Sequence, residues 1–285
     1  MSPPQYLTTR EVADLLRVKE RKVYDLAAAG EIPHRRITGK LLFPNAEIVA
    51  WIEGDAGGGD RPRPAVLAGS HDPLLDWAAR ESDGGLAMLL DGSADGLERF
   101  AAGEAALAGL HIPDDEGWNI AALSARGVRG CVLIGWASRS QGLILGDGLE
   151  GARLSDLRGR RVALRQEGAG ARALFDRILA AEGMSTADFV AASGLARTES
   201  EAAAAVASSE ADAAFGLAAM ARQYRLGFTP LAEERFDLLI DRRSYFTEPV
   251  QRLLAFAATP AFAEKAAALS GYDVGGLGAV RWLSP

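Results

Sequence analysis

Apolar residues recur at helical spacing over the first fifty positions and give way to short apolar runs after residue 64. In the segment Leu7–Phe43, Val12, Leu15 and Leu16 share one face of a predicted helix. Thr8 and Glu11 form the Thr-x-x-Glu pattern that starts such a helix. Arg17-Val18-Lys19 predicts a tight turn with Val18 as an apolar plug. A second helix follows with Val23 and Leu26 inward and Arg21, Lys22 and Tyr24 outward, and Gly30 stops it. Two helices joined by so short a turn form a helix-turn-helix, whose second helix enters the major groove of DNA. Two short strands around Thr38-Gly39 then carry Arg35, Arg36 and Lys40, a hairpin wing with cations suited to phosphates. Pro44-Asn45 caps a third helix in which Ile48, Trp51 and Ile52 face the core of this head.

Residues 54–64, GDAGGGDRPRP, combine three consecutive glycines with two prolines and predict a flexible linker. Beyond it, predicted strands at 65–68, 86–90, 106–110, 128–134, 142–145, 161–164, 211–215 and 236–240 alternate with predicted helices. The helices fall at 73–80, 96–102, 171–182, 200–208, 217–224, 249–257 and 260–270. That alternation predicts an α/β domain with mostly parallel sheets, and some 220 residues suit two lobes better than one open sheet.

Three junctions share one design. Gly69-Ser70-His71-Asp72-Pro73, Asp91-Gly92-Ser93-Ala94 and Gly168-Ala169-Gly170-Ala171-Arg172 each run from a strand through small residues into a helix. Asp72 is placed to cap its helix, and Pro73 suits the first helical position. Such loops gather at the carboxyl edge of an α/β sheet, where helix N-termini offer free N–H groups to an anion.

Composition and charge alter this picture little. The 285 residues carry a net charge of −7. Residues 1–53 hold eight Lys/Arg against seven Asp/Glu, leaving 23 against 31 in the remainder. The head therefore stands near +1 and the rest near −8, a modest field for DNA, so tight binding calls for two heads and a homodimer. The lone Cys131 lies in an apolar run and reads as an inert core residue. The three histidines lack metal-ligand spacing, and His111, at a strand end, reads as structural. Ser70, His71 and Asp72 are chain neighbours whose side chains diverge, so they do not form a hydrolase triad. No apolar run approaches the ~20 residues of a membrane helix, and the N-terminus lacks a secretory pattern; a cytoplasmic protein is expected.

The first 53 or so residues resemble the excisionase-type and MerR-type winged helix-turn-helix family. The resemblance implies Thr9, Lys19, Arg21, Lys22 and Tyr24 as DNA contacts of the helices, with Arg35, Arg36 and Lys40 on the DNA backbone. Residues 66–283 carry GSHDPLLDW, SRSQGLIL, LRQEGAGAR, AVASSEADAAFGL and PLAEERFDLLI in order. They resemble the molybdate-binding-like periplasmic-binding domain found fused to such heads in regulators. This implies a two-lobed type II clamshell, one lobe from about 65–135 and 232–285 and the other from about 138–230.

It also implies a small ligand, molybdate or tungstate by default, and no other cofactor. By position, Ser70 and Ser93 would donate hydroxyls, and His71, Ala94, Gly170 and Ala171 their backbone N–H groups. Asp72, Gly168 and Ala169 would line the same site, and Arg139 or Arg172 would add charge. Relatives carry Gly-Ser-Gly-Thr-Arg where this chain has Gly168-Ala169-Gly170-Ala171-Arg172, so two hydroxyls are missing. A larger anion, such as a molybdenum-cofactor-like molecule or an organic acid, is the alternative ligand. Two further alternatives are an architectural DNA binder whose second domain only dimerises and, least favoured for want of a motif, an enzyme. The main expectation is a DNA-binding regulator that senses a small anion.

Overall fold

The computed structural model divides the chain into two compact units, residues 1–61 and 62–285. It describes residues 4–37, 39–52, 62–114 and 117–284. The expected linker lies outside the described residues up to position 61.

The first unit runs β1 (Tyr6–Leu7), α1 (Thr9–Leu16), α2 (Glu20–Ala28), β2 (Arg35–Ile37), β3 (Lys40–Pro44) and α3 (Asn45–Ile52). Thr8 caps α1 in a reciprocal box: its hydroxyl accepts from the Glu11 N–H, and its own N–H donates to the Glu11 carboxylate at 2.7 Å. Arg17 ends the helix in the left-handed conformation, φ 54°. Val12, Ala13, Val23, Ala27, Ile32, Phe43 and Ile48 form the core. The α1 stripe is therefore Thr9, Val12, Ala13 and Leu16. Leu15 falls one position off that stripe and is 49 % exposed, and Val18 is 40 % exposed. Both were expected inside. Val18 does not need to plug the turn, because its backbone N–H closes it on the Ala13 carbonyl. Trp51 packs against the core, while Thr38 and the side chain of Ile52 lie outside the described residues. The wing pairs Arg35–Ile37 with Lys40–Leu42, and β1, which the sequence did not suggest, pairs with the far edge of β3.

The second unit opens with β4 (Val66–Gly69), α4 (Pro73–Glu81), β5 (Ala87–Leu89), α5 (Ser93–Ala101), β6 (Leu107–Leu110), α6 (Ile120–Arg126) and β7 (Cys131–Leu145). Next come β8 (Arg161–Ala163), α7 (Gly170–Ala181), β9 (Val190–Ala191), α8 (Glu199–Ala207), β10 (Ala213–Leu217) and α9 (Ala218–Tyr224). The chain closes with β11 (Gly227–Asp241), α10 (Glu248–Ala257), α11 (Pro260–Leu269), β12 (Tyr272–Asp273) and β13 (Val280–Leu283). Arg63 starts this unit rather than ending a linker. Its guanidinium donates to the Phe100 and Ala105 carbonyls and pairs with Asp241.

The strand order is β5-β4-β6-β11-β7-β10-β8-β9. Strands β5, β4 and β6 are parallel, as are β9, β8 and β10, whereas β7 and β11 pair antiparallel with all their neighbours. The sheet is thus two parallel wings joined by an antiparallel pair of long strands. Lobe I packs Leu67, Leu75, Trp136, Phe236 and Leu253 with their neighbours, and lobe II packs Leu143, Leu174, Phe175 and Phe215.

The sequence suggested two strands, 128–134 and 142–145, where one continuous β7 stands. The polar run Ser138-Arg139-Ser140-Gln141 resembles a break, but it lies directly opposite Ala232–Arg235 of β11. Opposite charges on facing strands satisfy it inside the protein. The same pairing extends β11 back to Gly227. Helix α6 was not anticipated; it starts behind Asn119, held at φ 70°. Among the described residues no helix is long and apolar enough to cross a membrane.

Candidate functional site

Strand β4 delivers Ser70 past Gly69, whose φ of 109° and closeness to Gly109 leave no room for a Cβ, which would lie 2.3 Å from the Gly109 carbonyl oxygen. Helix α5 begins with Ser93, again behind a left-handed glycine, Gly92 at φ 112°. Both serines are buried and both meet His111 at the end of β6. Ser70 Oγ lies 2.7 Å from His111 Nε2, and the His111 backbone N–H donates to Ser93 Oγ at 3.2 Å.

The other ring nitrogen, Nδ1, is 2.8 Å from Glu234 Oε2 on β11. Arg139 on β7 binds the second Glu234 oxygen, to which Gln141 also donates at 2.8 Å. Arg139 further pairs with Asp72 at 2.8 Å and lies 4.3 Å over the Phe236 ring. Asp72 caps α4 through the Leu75 N–H at 2.7 Å and accepts the Tyr272 hydroxyl at 2.5 Å. Eight polar side chains, from both lobe I loops, the end of β6, both long strands and the C-terminal segment, therefore form one network.

Burial by itself would raise the Glu234 carboxyl, but the Arg139 charge and then His111 outweigh it and bring it to about 2. Burial likewise opposes the Arg139 charge, yet Glu234 and Asp72 keep its proton bound more tightly than usual. The Tyr272 phenol is pushed well up by burial and then by the Asp72 charge, so it stays a donor. Gln141 Oε1 and Arg139 Nε are buried without a protein partner.

Lobe II closes over this network mostly with backbone. The N–H of Ala94 donates to the Gly168 carbonyl at 3.3 Å, and the Gln166 side-chain amide donates to the Asp91 carbonyl at 2.7 Å. Gly170 begins α7 so close to His111 that a Cβ would lie 2.5 Å from its carbonyl oxygen and 2.8 Å from its ring. A cavity of about 410 Å³ lies elsewhere, lined by Gly146–Leu149, Arg160, Arg161 and Tyr224–Leu226, all from lobe II. It opens widely, and Arg161 there is already paired with Asp212.

In the head, Lys19, Arg21, Lys22 and Tyr24 are exposed at the start and along one side of α2. Arg36 and Lys40 are exposed on the wing, while Arg35 is held by Glu47 at 2.8 Å. Thr9 is buried in the first turn of α1, so its side chain belongs to the head's core rather than to a DNA-facing surface.

A family model described as the PBP superfamily domain matches residues 76–258, more than half of the chain. The chain belongs to this family. A helix-turn-helix domain model matches residues 6–56. The PBP domain is similar in fold to a phosphate ABC transporter substrate-binding protein with bound phosphate from Clostridium perfringens. That match has TM-score 0.55 and 12% identity, covering 72% of this chain and 96% of that one. A Corynebacterium glutamicum OxyR mutant (TM-score 0.49, 11% identity, 92% and 89% covered) is also similar. So is an ABC-type phosphate transport receptor from Vibrio cholerae (TM-score 0.47, 13% identity, 73% and 98% covered). No curated protein matches the chain.

Within the PBP domain, the residues expected to bind ligand separate into two groups. Ser70, Ser93 and Gly170 meet at His111, while Gly168 and Ala169 lie against Gly92 and Ala94, whose N–H, expected for the ligand, is given to the Gly168 carbonyl. Asp72 and Arg139 do not face a ligand as expected, because each is spent on the other and on Tyr272 or Glu234. Arg172 is bonded to Asp176 and the Arg165 carbonyl, which accounts for its charge locally. The Ala171 methyl lies in the lobe II core, leaving only its first-turn N–H for a ligand. His71 is half-buried in the same loop, with Nδ1 unpartnered.

Sequence reasoning missed His111, Glu234, Gln141 and Tyr272. In the sequence His111 reads as structural, and the one available signal is a glutamate, Glu234, beside the strand-like stretch 236–240. Among the described residues no cluster of His, Cys, Asp and Glu is arranged to hold a metal ion. Neither matched domain type is an enzyme family.

Proposed function

We propose that this protein is a transcription regulator whose helix-turn-helix head binds double-stranded DNA and whose PBP domain senses a small anion between its lobes. The observation that carries the sensing role is the meeting of Ser70 and Ser93, from two separate βα junctions, at the single buried residue His111. The Ser93 hydroxyl and first-turn N–H groups of α5 and α7, gathered near that point, are the kind of donor set that an anion without a metal partner needs. Molybdate and tungstate are the first candidates and a larger organic anion the second, because lobe II brings Ala169 and Ala171 where hydroxyls were expected. The head works through Arg21, Lys22 and Tyr24 in the groove, with Arg36 and Lys40 on phosphates. Its small positive excess favours a homodimer on a two-fold site, in the compartment that holds the DNA.

The regulator carries no catalytic step in this reading. Ser70, His111 and Glu234 line up as a hydrolase relay would, yet Glu234 is neutralised by Arg139, and Gly170 covers the imidazole. A serine-directed fluorophosphonate should leave Ser70 unlabelled; a Ser70 adduct would count for an enzyme instead.

The test selects genomic DNA fragments on the full-length protein and repeats the selection with Arg21→Ala and Lys22→Ala together. One enriched sequence, lost in the double variant and altered in affinity by an anion that raises the melting temperature, supports the proposal. A ligand at about a thousand times its Kd adds on the order of 4 kcal/mol, well within reach of thermal melting. Enrichment of no sequence, with binding indifferent to Arg21 and Lys22, defeats the DNA-reading role.

A further inference from the structure

Hydrogen-bond directions in the cleft follow from one fixed point. An ionised carboxylate only accepts, and Glu234 takes Arg139 and Gln141 on one oxygen and His111 Nδ1 on the other. Nδ1 therefore carries a hydrogen. A neutral imidazole then has only a lone pair at Nε2, so the Ser70 hydroxyl must be the donor in the 2.7 Å bond. Its hydrogen is spent inward, and what Ser70 Oγ can turn towards a ligand is a lone pair. Ser93 differs: its oxygen accepts from the His111 N–H and its own hydrogen remains free to donate.

Resting on the cleft as the ligand site, and displacing fully deprotonated molybdate and tungstate from first place among its ligands, we propose that it takes an anion bearing its own hydrogen-bond donor, such as a protonated oxyanion or a hydroxy acid, and that this donor meets Ser70 Oγ. A fully deprotonated oxyanion has no hydrogen for Ser70. It binds only when His111 takes up a proton, which makes Nε2 a donor and frees the Ser70 hydroxyl to point outward.

Charge bears on the same choice. Arg139, Glu234 and Asp72 together sum to one negative charge in a buried site, which disfavours hydrogen phosphate and sulfate alike. A difference between the two therefore reports the ligand's own hydrogen, and a monoanion such as glycolate meets less repulsion than either. The groups around the imidazole come from every packed element: Glu234 and Phe236 from β11, Ser70 from the β4–α4 loop with His71 beside it, Ser93 from α5, and Gly170 from α7. Arg139, Asp72 and Tyr272 stand behind them. On the two helices that begin at the site, Asp95 of α5 is paired with Arg99, and Arg172 of α7 with Asp176.

Calorimetric titration of the full chain with inorganic phosphate, sulfate and molybdate, and with glycolate against acetate, tests this at two pH values and in two buffers of different ionisation enthalpy. Near pH 8 hydrogen phosphate has the charge and shape of sulfate plus one proton. We expect it to bind at least tenfold more tightly than sulfate or molybdate there, or glycolate at least tenfold more tightly than acetate. Sulfate and molybdate should gain affinity on acidification and take up protons as they bind. Ser70→Ala should abolish the preference for the proton-bearing member of each pair. Sulfate or molybdate binding as tightly as phosphate near pH 8 without proton uptake overturns the inference and leaves the anion sensor standing. Binding of none of the five anions at either pH overturns the sensor reading itself.

Discussion

The βα junctions of the two lobes look alike in sequence and contribute different chemistry. In lobe I, Ser70, Asp72 and Ser93 bring side chains that are bonded into the His111–Glu234–Arg139 network. In lobe II, Gly168, Ala169 and Gly170 bring little beyond backbone, with a carbonyl on Ala94 and a bare Cα against the His111 ring. One lobe is a fixed polar floor and the other a close-fitting apolar cover. Hydroxyls on the cover would have to find partners in a gap where even a methyl group does not fit at position 170. In the proposed reading, discrimination between ligands belongs to lobe I, and closure to lobe II.

The contrast breaks hardest at Arg139. Arg139→Met leaves Asp72 and Glu234 buried without their cation and should lower unfolding free energy by roughly 3–5 kcal/mol in chemical denaturation. Adding Glu234→Gln should recover part of that loss; a double variant as weak as the sum of the two singles would mean that the residues do not act as a network.

Acid attacks the same floor. Glu234 titrates at about 2 when folded against a usual 4.5, so its contribution is whole above about pH 4.5 and fades as pH falls towards 2. That contribution is on the order of 3 kcal/mol. The stability gap between the wild type and Glu234→Gln should accordingly shrink between pH 7 and pH 3. A gap independent of pH would show that Glu234 titrates normally in the folded protein.

The cover responds less. Gly170→Ala places a Cβ 2.5 Å from the His111 carbonyl oxygen and should cost about 1–3 kcal/mol while leaving the lobe I network intact. Unchanged stability would mean that the lobes do not close as described.

The smallest effect concerns the head. Arg36→Ala should lower the salt dependence of DNA binding by about one ion, and Arg35→Ala by less, since Arg35 already faces Glu47. Equal changes in the two titrations would remove the distinction between a tethered and an untethered wing cation.

Much of this architecture is legible residue by residue. Thr8 and Glu11 announce α1, Asp72-Pro73 announces α4, and Thr38-Gly39 announces the wing, because capping and turn chemistry act over three or four residues. Strand alternation announced an α/β domain for the same local reason. Errors arose where local chemistry was answered from far away. Ser138–Gln141 reads as a break until Ala232–Arg235 lies across from it, 90 or so residues later in the chain. Leu15 and Val18 read as core until the α1 stripe is seen to run through Ala13. Asp72 and Arg139 look free for a ligand, 67 residues apart, until the fold sets them 2.8 Å from each other.

By itself the sequence determined the two units, the helix-turn-helix with its cationic second helix, and the three glycine-rich junctions, all of which depend on neighbours in the chain. Only the tertiary structure decided that His111 is the centre of the cleft and that Arg139 serves Glu234 and Asp72. The physical reason is range. A cap or a turn is satisfied within one helical turn, whereas a buried charge takes whatever partner the closed sheet places beside it.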